Sequence, residues 1–367
     1  MSEEIYQELV ARLNQFQTKI PPLESYLDLI KEIYTVDEAR LGCAFPPGFH
    51  TLEPLAERLD RDETELKNVL DTMARKGTVF TTKDRKYALQ AFVPGVVEFQ
   101  LMRSTEDTPR DKRIAGLISK FEEEMRALAR TLSEEHPELL AAMPNGNFGR
   151  TITINEALPR DTEIAPHEDL LRLLEDEDSF ALAPCYCQNQ KRLAGKPCKI
   201  ENGPSPRCIT VGKSADYVAE HRFGERISKE KAMKVLAEAE RVGLIHNISN
   251  IHGRVEFICN CCACCCPFLS SIREMKDSGI TAYSNFVVSV DEDSCTGCEG
   301  CIQRCQMEAL HRKDDIVEVD RALCVGCGNC VSSCPADALS MKRRSAQKPL
   351  EIEDERVVAL GGIADPF

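Results

Sequence analysis

Apolar positions recur at helical spacing in the first hundred residues. Leu52, Leu55, Ala56 and Leu59 share one face, and Leu66, Val69, Leu70 and Met73 share another after the polar turn Asp60-Arg61-Asp62. Gly77 ends the second helix, and TVFTTKDRKYAL then alternates as a short hairpin with Lys83-Asp84-Arg85 at its tip. Residues 111 to 135 carry a longer stripe, Ile114, Leu117, Ile118, Phe121, Met125 and Leu128, which predicts a charged amphipathic helix bridging domains. Beyond it, TITI at 151–154 reads as a strand, Lys229 to Val242 as a helix capped by Ser228, and GLIHNIS and RVEFICN as two further strands. The expected fold class is α+β and multidomain.

A chain of 367 residues exceeds one ordinary core and predicts about two or three units. Residues 1–103 form the first; their helix, turn, helix, hairpin order resembles a winged helix-turn-helix. Residues 104–149 are a helical linker, 150–285 a cysteine-rich middle domain and 286–341 a compact repeat domain. The tail, 342–367, mixes charge, Pro and Gly, and either folds over another domain or docks a partner.

No run approaches the roughly 18 apolar residues of a membrane helix, so no membrane insertion is expected. The N-terminus MSEEIYQELV has neither a basic start nor an apolar stretch, which predicts a cytoplasmic protein. A formal charge of -14 disfavours wholesale binding to nucleic acid and favours partner proteins with basic docking surfaces. A winged helix ordinarily lays its second helix in the major groove. Between Gly48 and Gly95, however, eight acidic residues balance eight basic ones. Counterion release then contributes little, so docking or a structural role is expected ahead of DNA reading.

Cysteine usage changes the picture most. Of 19 cysteines, all but Cys43 follow residue 184, which in a non-exported chain reads as metal ligation. Residues 290–339 hold a repeat of period 29. Val290, Asp291, Cys295, Gly297, Cys298, Cys301, Cys305, Ala309 and Leu310 recur as Val319, Asp320, Cys324, Gly326, Cys327, Cys330, Cys334, Ala338 and Leu339. Each copy reads C-x2-C-x2-C-x3-C, whose evenly stepped thiolates suit a cubane better than the separated C-x2-C hairpins of a zinc pair. Residues 286–341 thus resemble bacterial 2[4Fe-4S] ferredoxins. The resemblance implies two [4Fe-4S] clusters, one on Cys295, Cys298, Cys301 and Cys334, the other on Cys324, Cys327, Cys330 and Cys305. One position departs from the pattern: Pro335 follows Cys334, but Gln306 follows Cys305. Ten acidic against four basic residues make this segment an acidic carrier suited to basic docking surfaces.

The middle domain holds Cys185, Cys187, Cys198 and Cys208, then Cys259, Cys261, Cys262, Cys264, Cys265 and Cys266 in CNCCACCCP. Six thiols in eight residues exceed any packing preference, and adjacent side chains diverge too much for all to serve one ion. Two groupings are open: the earlier four combine with part of CNCCACCC around one or two clusters, or they form a site of their own. At least one additional iron-sulfur cluster is expected, with a zinc site next and redox-active thiols after that. The joint cysteine pattern resembles a group of ferredoxin-domain proteins of anaerobic bacteria, a resemblance that covers most of the chain and implies no reaction. His221, His246 and His252 read as ordinary surface or core histidines, and Cys43 as a buried small hydrophobe.

The chain has no Walker A loop, G-x-G-x-x-G, H-E-x-x-H or G-x-S-x-G. The expected function is electron transfer, by a carrier or a subunit of a redox complex. The alternatives are a redox-sensing winged-helix transcription regulator and an oxidoreductase with a catalytic middle iron-sulfur site.

Overall fold

The computed structural model describes residues 2–16, 18–102, 107–136, 149–161, 163–200, 202–253, 255–276, 281–351, 357–358 and 362–363. The N-terminal region is helical: α1 (Ser2–Leu13), α2 (Glu24–Ile33), α3 (Val36–Ala44), α4 (Leu52–Leu59) and α5 (Glu63–Lys76), followed by the hairpin β1 (Val79–Thr81) and β2 (Tyr87–Leu89). Local chemistry sets these limits. Thr35 and Glu38 form a capping box at α3, Asp62 caps α5 by accepting from Glu65 N–H at 2.8 Å, and Gly77 closes α5 at φ +77°. The two predicted helical faces are the ones that turn inward, with Leu55, Leu66, Leu70 and Met73 all buried.

After α6 (Val97–Met102), the long α7 (Pro109–Glu135) starts at a capping box of Thr108 and Asp111. It does not stand alone as a linker. Its buried stripe of Ile114, Ala115 and Ile118 joins the N-terminal core, and Ser25 Oγ of α2 donates to Glu124 at 2.6 Å.

The middle region adds β3 (Gly149–Thr151), α8 (Leu170–Leu173), β4 (Phe180–Ala183), α9 (Tyr186–Leu193), β5 (Cys208–Val211), α10 (Gly212–Glu220), β6 (Glu225–Ile227), α11 (Lys229–Arg241), β7 (Ile245–Ile248), β8 (Phe257–Cys261), α12 (Pro267–Met275) and β9 (Thr281–Ala282). The strands form one seven-stranded sheet in the order β6-β4-β5-β8-β7-β3-β9, antiparallel except for β3 with β9. The TITI strand lies earlier than predicted, at Gly149–Thr151. Thr153 and Ile154 leave the ladder because they bond outward, Thr153 Oγ1 to Gly326 O at 2.8 Å and Ile154 N–H to Cys327 O at 3.0 Å.

The sheet and the N-terminal helices share a core. Tyr217 of α10 is buried between Phe80, Phe99 and Phe223, and its hydroxyl donates to Ala74 O and Val79 O, each at 2.9 Å. At the hairpin tip, Lys83 pairs with Asp216 at 2.8 Å and Arg85 with Glu220 at 3.0 Å.

The repeat domain contains β10 (Phe286–Val290), α13 (Gly300–Arg304), β11 (Leu310–Lys313), β12 (Ile316–Val319) and β13 (Leu339–Arg343). Its register mirrors the sequence repeat: Leu310 pairs with Val319, and their repeat counterparts Leu339 and Val290 pair with each other. Asp320 N–H donates to Ala309 O at 2.8 Å, and Asp291 N–H to Ala338 O at 2.8 Å. After β13 the tail lies over the middle region, where Leu350 N–H donates to Asn250 O at 3.0 Å. Farther on, β14 (Val357–Val358) pairs with β15 (Gly362–Ile363); the remainder of the predicted tail lies outside the described residues.

Candidate metal centres

In the repeat domain several of the predicted thiols lie near one another across the two copies. Cys301 of the first copy lies within electrostatic reach of Cys298 and of Cys334 from the second copy. Cys305 of the first copy lies within reach of Cys324, Cys327 and Cys330, and Cys330 is within reach of Cys301 as well. Cys305, Cys324, Cys327 and Cys330 line one cavity together with Gly243, Arg304, Gln306, Met307, Gly328 and Asn329. Four thiols lining one cavity are the donor set that a [4Fe-4S] cluster takes. Burial drives the Cys327 thiol up to about 12 and Cys330 well above the ordinary thiol value, a cost that a bound metal removes by taking the thiolate.

The glycines of the repeat have a physical reason. Gly297 and Gly326 sit at φ +62° and +78°, and a Cβ there would meet Asp315 O and Phe286 O respectively. Of the eight thiols Cys298 is exposed, Cys301, Cys324 and Cys330 are buried, and the other four are half-buried. Asn329 donates from Nδ2 to Leu244 O at 2.9 Å and toward Cys327 Sγ at 3.6 Å.

The ten middle cysteines divide into two sets, and the division cuts through CNCCACCC. Cys198, Cys262, Cys264 and Cys265 converge so that all four sulfurs lie within 4.8 Å of one another. The other six form a run of thiol contacts, Cys185 to Cys187, Cys187 to Cys266, Cys266 to Cys261, Cys261 to Cys259 and Cys259 to Cys208. The four earlier cysteines therefore do not gather on their own: Cys198 joins one set and Cys185, Cys187 and Cys208 the other. Strand geometry explains this. Cys208 and Cys259 are register partners on β5 and β8, and Cys261 follows two residues on, on the same face. Past the strand end, the turn Cys262 to Cys265 points its thiols elsewhere, and Cys266 returns as the N-cap of α12.

Arg207 stands between the sets. It is 1% exposed; its Nη2 donates to Cys262 Sγ at 3.2 Å and Cys198 Sγ at 3.7 Å, while Nε and Nη1 have no protein partner. Burial alone would lower its pKa, but Cys185, Cys262 and Cys198 raise it on balance. Hydrogen bonding from Cys187 brings the Cys185 thiol down to about 6 against its burial, with Arg207 assisting. Nothing in the sequence distinguishes Arg207 from its neighbours. Gln306 was visible only as a departure from the repeat; in the structure its Nε2 donates to Gly243 O at 2.7 Å.

The histidines have structural partners. His246 is buried with Nδ1 2.7 Å from Asn260 Oδ1 and Nε2 3.1 Å from Glu240, and His221 meets Thr81 Oγ1 at 2.7 Å. His252 N–H donates to Leu350 O at 2.9 Å. Cys43 is half-buried against the N-terminal core, its Sγ 3.7 Å from Ile5 O.

Comparison with known proteins agrees with the repeat. The model of the 4Fe-4S dicluster domain family matches residues 288–341. No curated protein and no solved structure matches the chain. No helix among the described residues is long and apolar enough to cross a membrane.

Proposed function

We propose that this chain is an iron-sulfur electron-transfer protein, working as a carrier or as a subunit of a redox complex. It would exchange electrons with a partner at the Cys298 side and pass them to or from the middle region on the Cys327 side. The observation that carries this reading is that Cys298 is exposed, while Cys305, Cys324, Cys327 and Cys330 line a cavity with Gly243 and Asn329. Cys295, Cys298, Cys301 and Cys334 would hold one [4Fe-4S] cluster and Cys305, Cys324, Cys327 and Cys330 the other. Such clusters supply one-electron chemistry at potentials set by burial, charge and hydrogen bonds to sulfur. The residues of this chain set those variables differently on the two sides. A basic partner surface suits the acidic segment around Cys298, which includes Asp291, Glu292, Asp293 and Glu299.

The six-thiol set of Cys185, Cys187, Cys208, Cys259, Cys261 and Cys266 is read as a further iron-sulfur centre. Its support is six neighbouring thiols that, among the described residues, do not converge on one point as a single-ion shell does, with a buried cation beside them. More thiols than one cubane takes also keeps open a catalytic role for that centre. The winged-helix-like unit is read as a structural and docking platform. The tip cations Lys83 and Arg85 pair with Asp216 and Glu220, and on α5 Lys67 pairs with Asp71 at 2.6 Å, which leaves little free positive charge for a phosphate backbone.

Anaerobically purified protein should contain iron and labile sulfide beyond the roughly eight of each in two cubanes. Cys298→Ser should remove one reducible centre from the electron paramagnetic resonance spectrum and slow reduction by an external donor. Fewer than about eight irons per chain, or an unchanged spectrum in the variant, would refute the assignment.

A further inference from the structure

We propose that Cys198, Cys262, Cys264 and Cys265 hold a single zinc ion in an all-thiolate shell, separate from every iron-sulfur centre of the chain. The sulfur spacing carries the argument. Cys198 Sγ lies 3.5 Å from Cys262 Sγ and 3.8 Å from Cys264 Sγ, and Cys264 Sγ lies 3.8 Å from Cys265 Sγ. Four sulfurs at the corners of a tetrahedron around one zinc, with Zn–S bonds of ~2.3 Å, are ~3.8 Å apart. A cubane gives each thiolate its own iron and so holds the sulfurs farther from one another. The repeat domain provides the internal comparison: among the described residues, its eight thiols form no group that converges within 4.8 Å as these four do.

The surroundings are those of a closed tetrathiolate site. Four thiols give up four protons as the ion binds, leaving a net charge of −2. Arg207 opposes that charge from within the core, through Nη2 at 3.2 Å from Cys262 Sγ. Two backbone donors complete the support, Lys199 N–H to Cys264 Sγ and Ile200 N–H to Cys198 Sγ, both at 3.4 Å. No open position for substrate is left on the ion, which marks the site as structural. Its task follows from what it joins. Between the end of α9 and β5 the described chain has no helix or strand, and Cys198 ties that stretch to the turn that lies between Cys261 and Cys266. A redox-inert ion there holds the turn in one geometry whatever the electron count of the neighbouring six-thiol set. Half-buried Cys264 also lines a surface cavity with Lys191, Lys196 and Ser270, which provides an entry path.

The test is metal analysis of the full chain, purified without oxygen. We expect one zinc per chain; X-ray absorption at the zinc edge should show four sulfur neighbours at ~2.3 Å and no metal–metal scattering. The double variant Cys198→Ser, Cys264→Ser should lose the zinc and retain all iron and labile sulfide. Should that variant fail to fold, the absorption spectrum of the unaltered protein decides alone. Absence of zinc, a metal–metal distance at its edge, or loss of iron and sulfide in the variant would overturn the proposal. So would iron without sulfide in this shell. Iron and sulfide content tests the electron-transfer reading independently, so the two can fail separately.

Discussion

The side-chain carbonyl of Gln306 accepts the backbone N–H of Ala263 at 3.1 Å, joining the residue that follows Cys305 to the middle of the CNCCACCC turn. The same amide donates to Gly243 O at 2.7 Å. One side chain thus ties a dicluster thiol loop to the turn from which both middle cysteine sets arise. The repeat's other copy has Pro335 at this position.

Gln306→Pro is therefore compatible with the local turn but removes two hydrogen bonds between regions, each of about 1 kcal/mol. We expect iron and sulfide content to stay at the unaltered level, amide hydrogen exchange at Ala263 to quicken, and electron exchange between the dicluster and middle centres to slow. Unchanged exchange at Ala263 would show that the clamp is redundant.

Gly326→Ala places a Cβ against Phe286 O and Ser284 Cβ in a left-handed backbone. The conformation alone costs roughly 1–3 kcal/mol, so thermal unfolding of the loaded protein should begin earlier and iron should be lost faster on dilution. Gly116→Ala, in α7 with nothing near its Cβ, should be neutral or stabilising by up to about 1 kcal/mol. Equal effects at the two sites would contradict the structural reason given for Gly326.

Glu168 joins the middle region to the end of β13. Arg343 donates to both its oxygens at 2.7 and 2.9 Å, and Asn285 Nδ2 adds a third bond at 2.8 Å. Burial alone would raise this carboxyl, but these bonds and Ala165 N–H hold it at about 2, below its ordinary 4.5. A lowered folded-state value means that the contribution is complete above about pH 4.5 and is lost as pH falls from there toward 2. Glu168→Gln should cost roughly 2–3 kcal/mol at neutral pH. The gap between variant and unaltered protein should close on acidification, as read from urea midpoints across pH; a gap independent of pH would rule out the charged clamp.

Tyr217→Phe keeps the aromatic packing but removes the side-chain donor from Val79 O and from Ala74 O, the latter keeping Gly77 N–H at 3.0 Å. A loss of about 1–3 kcal/mol is expected, with protease cleavage appearing first between the N-terminal helices and the sheet. With the hairpin tip already paired to α10, gel shifts on genomic fragments at low salt should show no retardation. Salt-sensitive binding would restore the regulator reading.

Much of this was legible along the chain because it depends on near neighbours. Helical stripes, the cap at Ser228, the stop at Gly77 and the period of the dicluster repeat are all written within a few residues of where they act. The boundary at 104–149 was less legible. The apolar stripe of α7 shows that the helix is half-buried but not against what, and the N-terminal core and α9 supply the answer. Gln190 of α9, for example, donates to Ser119 at 2.6 Å.

The sequence by itself determined the 4Fe-4S dicluster character of residues 288–341, written in its repeated cysteine spacing. Tertiary structure alone decided the partition of the middle cysteines. Whether Cys198 meets Cys264 or Cys185 depends on strand pairing across about sixty residues and on where β8 ends, and no local pattern encodes a register between distant strands. The same holds for Arg207, whose role exists only because β5 carries it between two sets of thiols that the fold, and not the spacing, brought together.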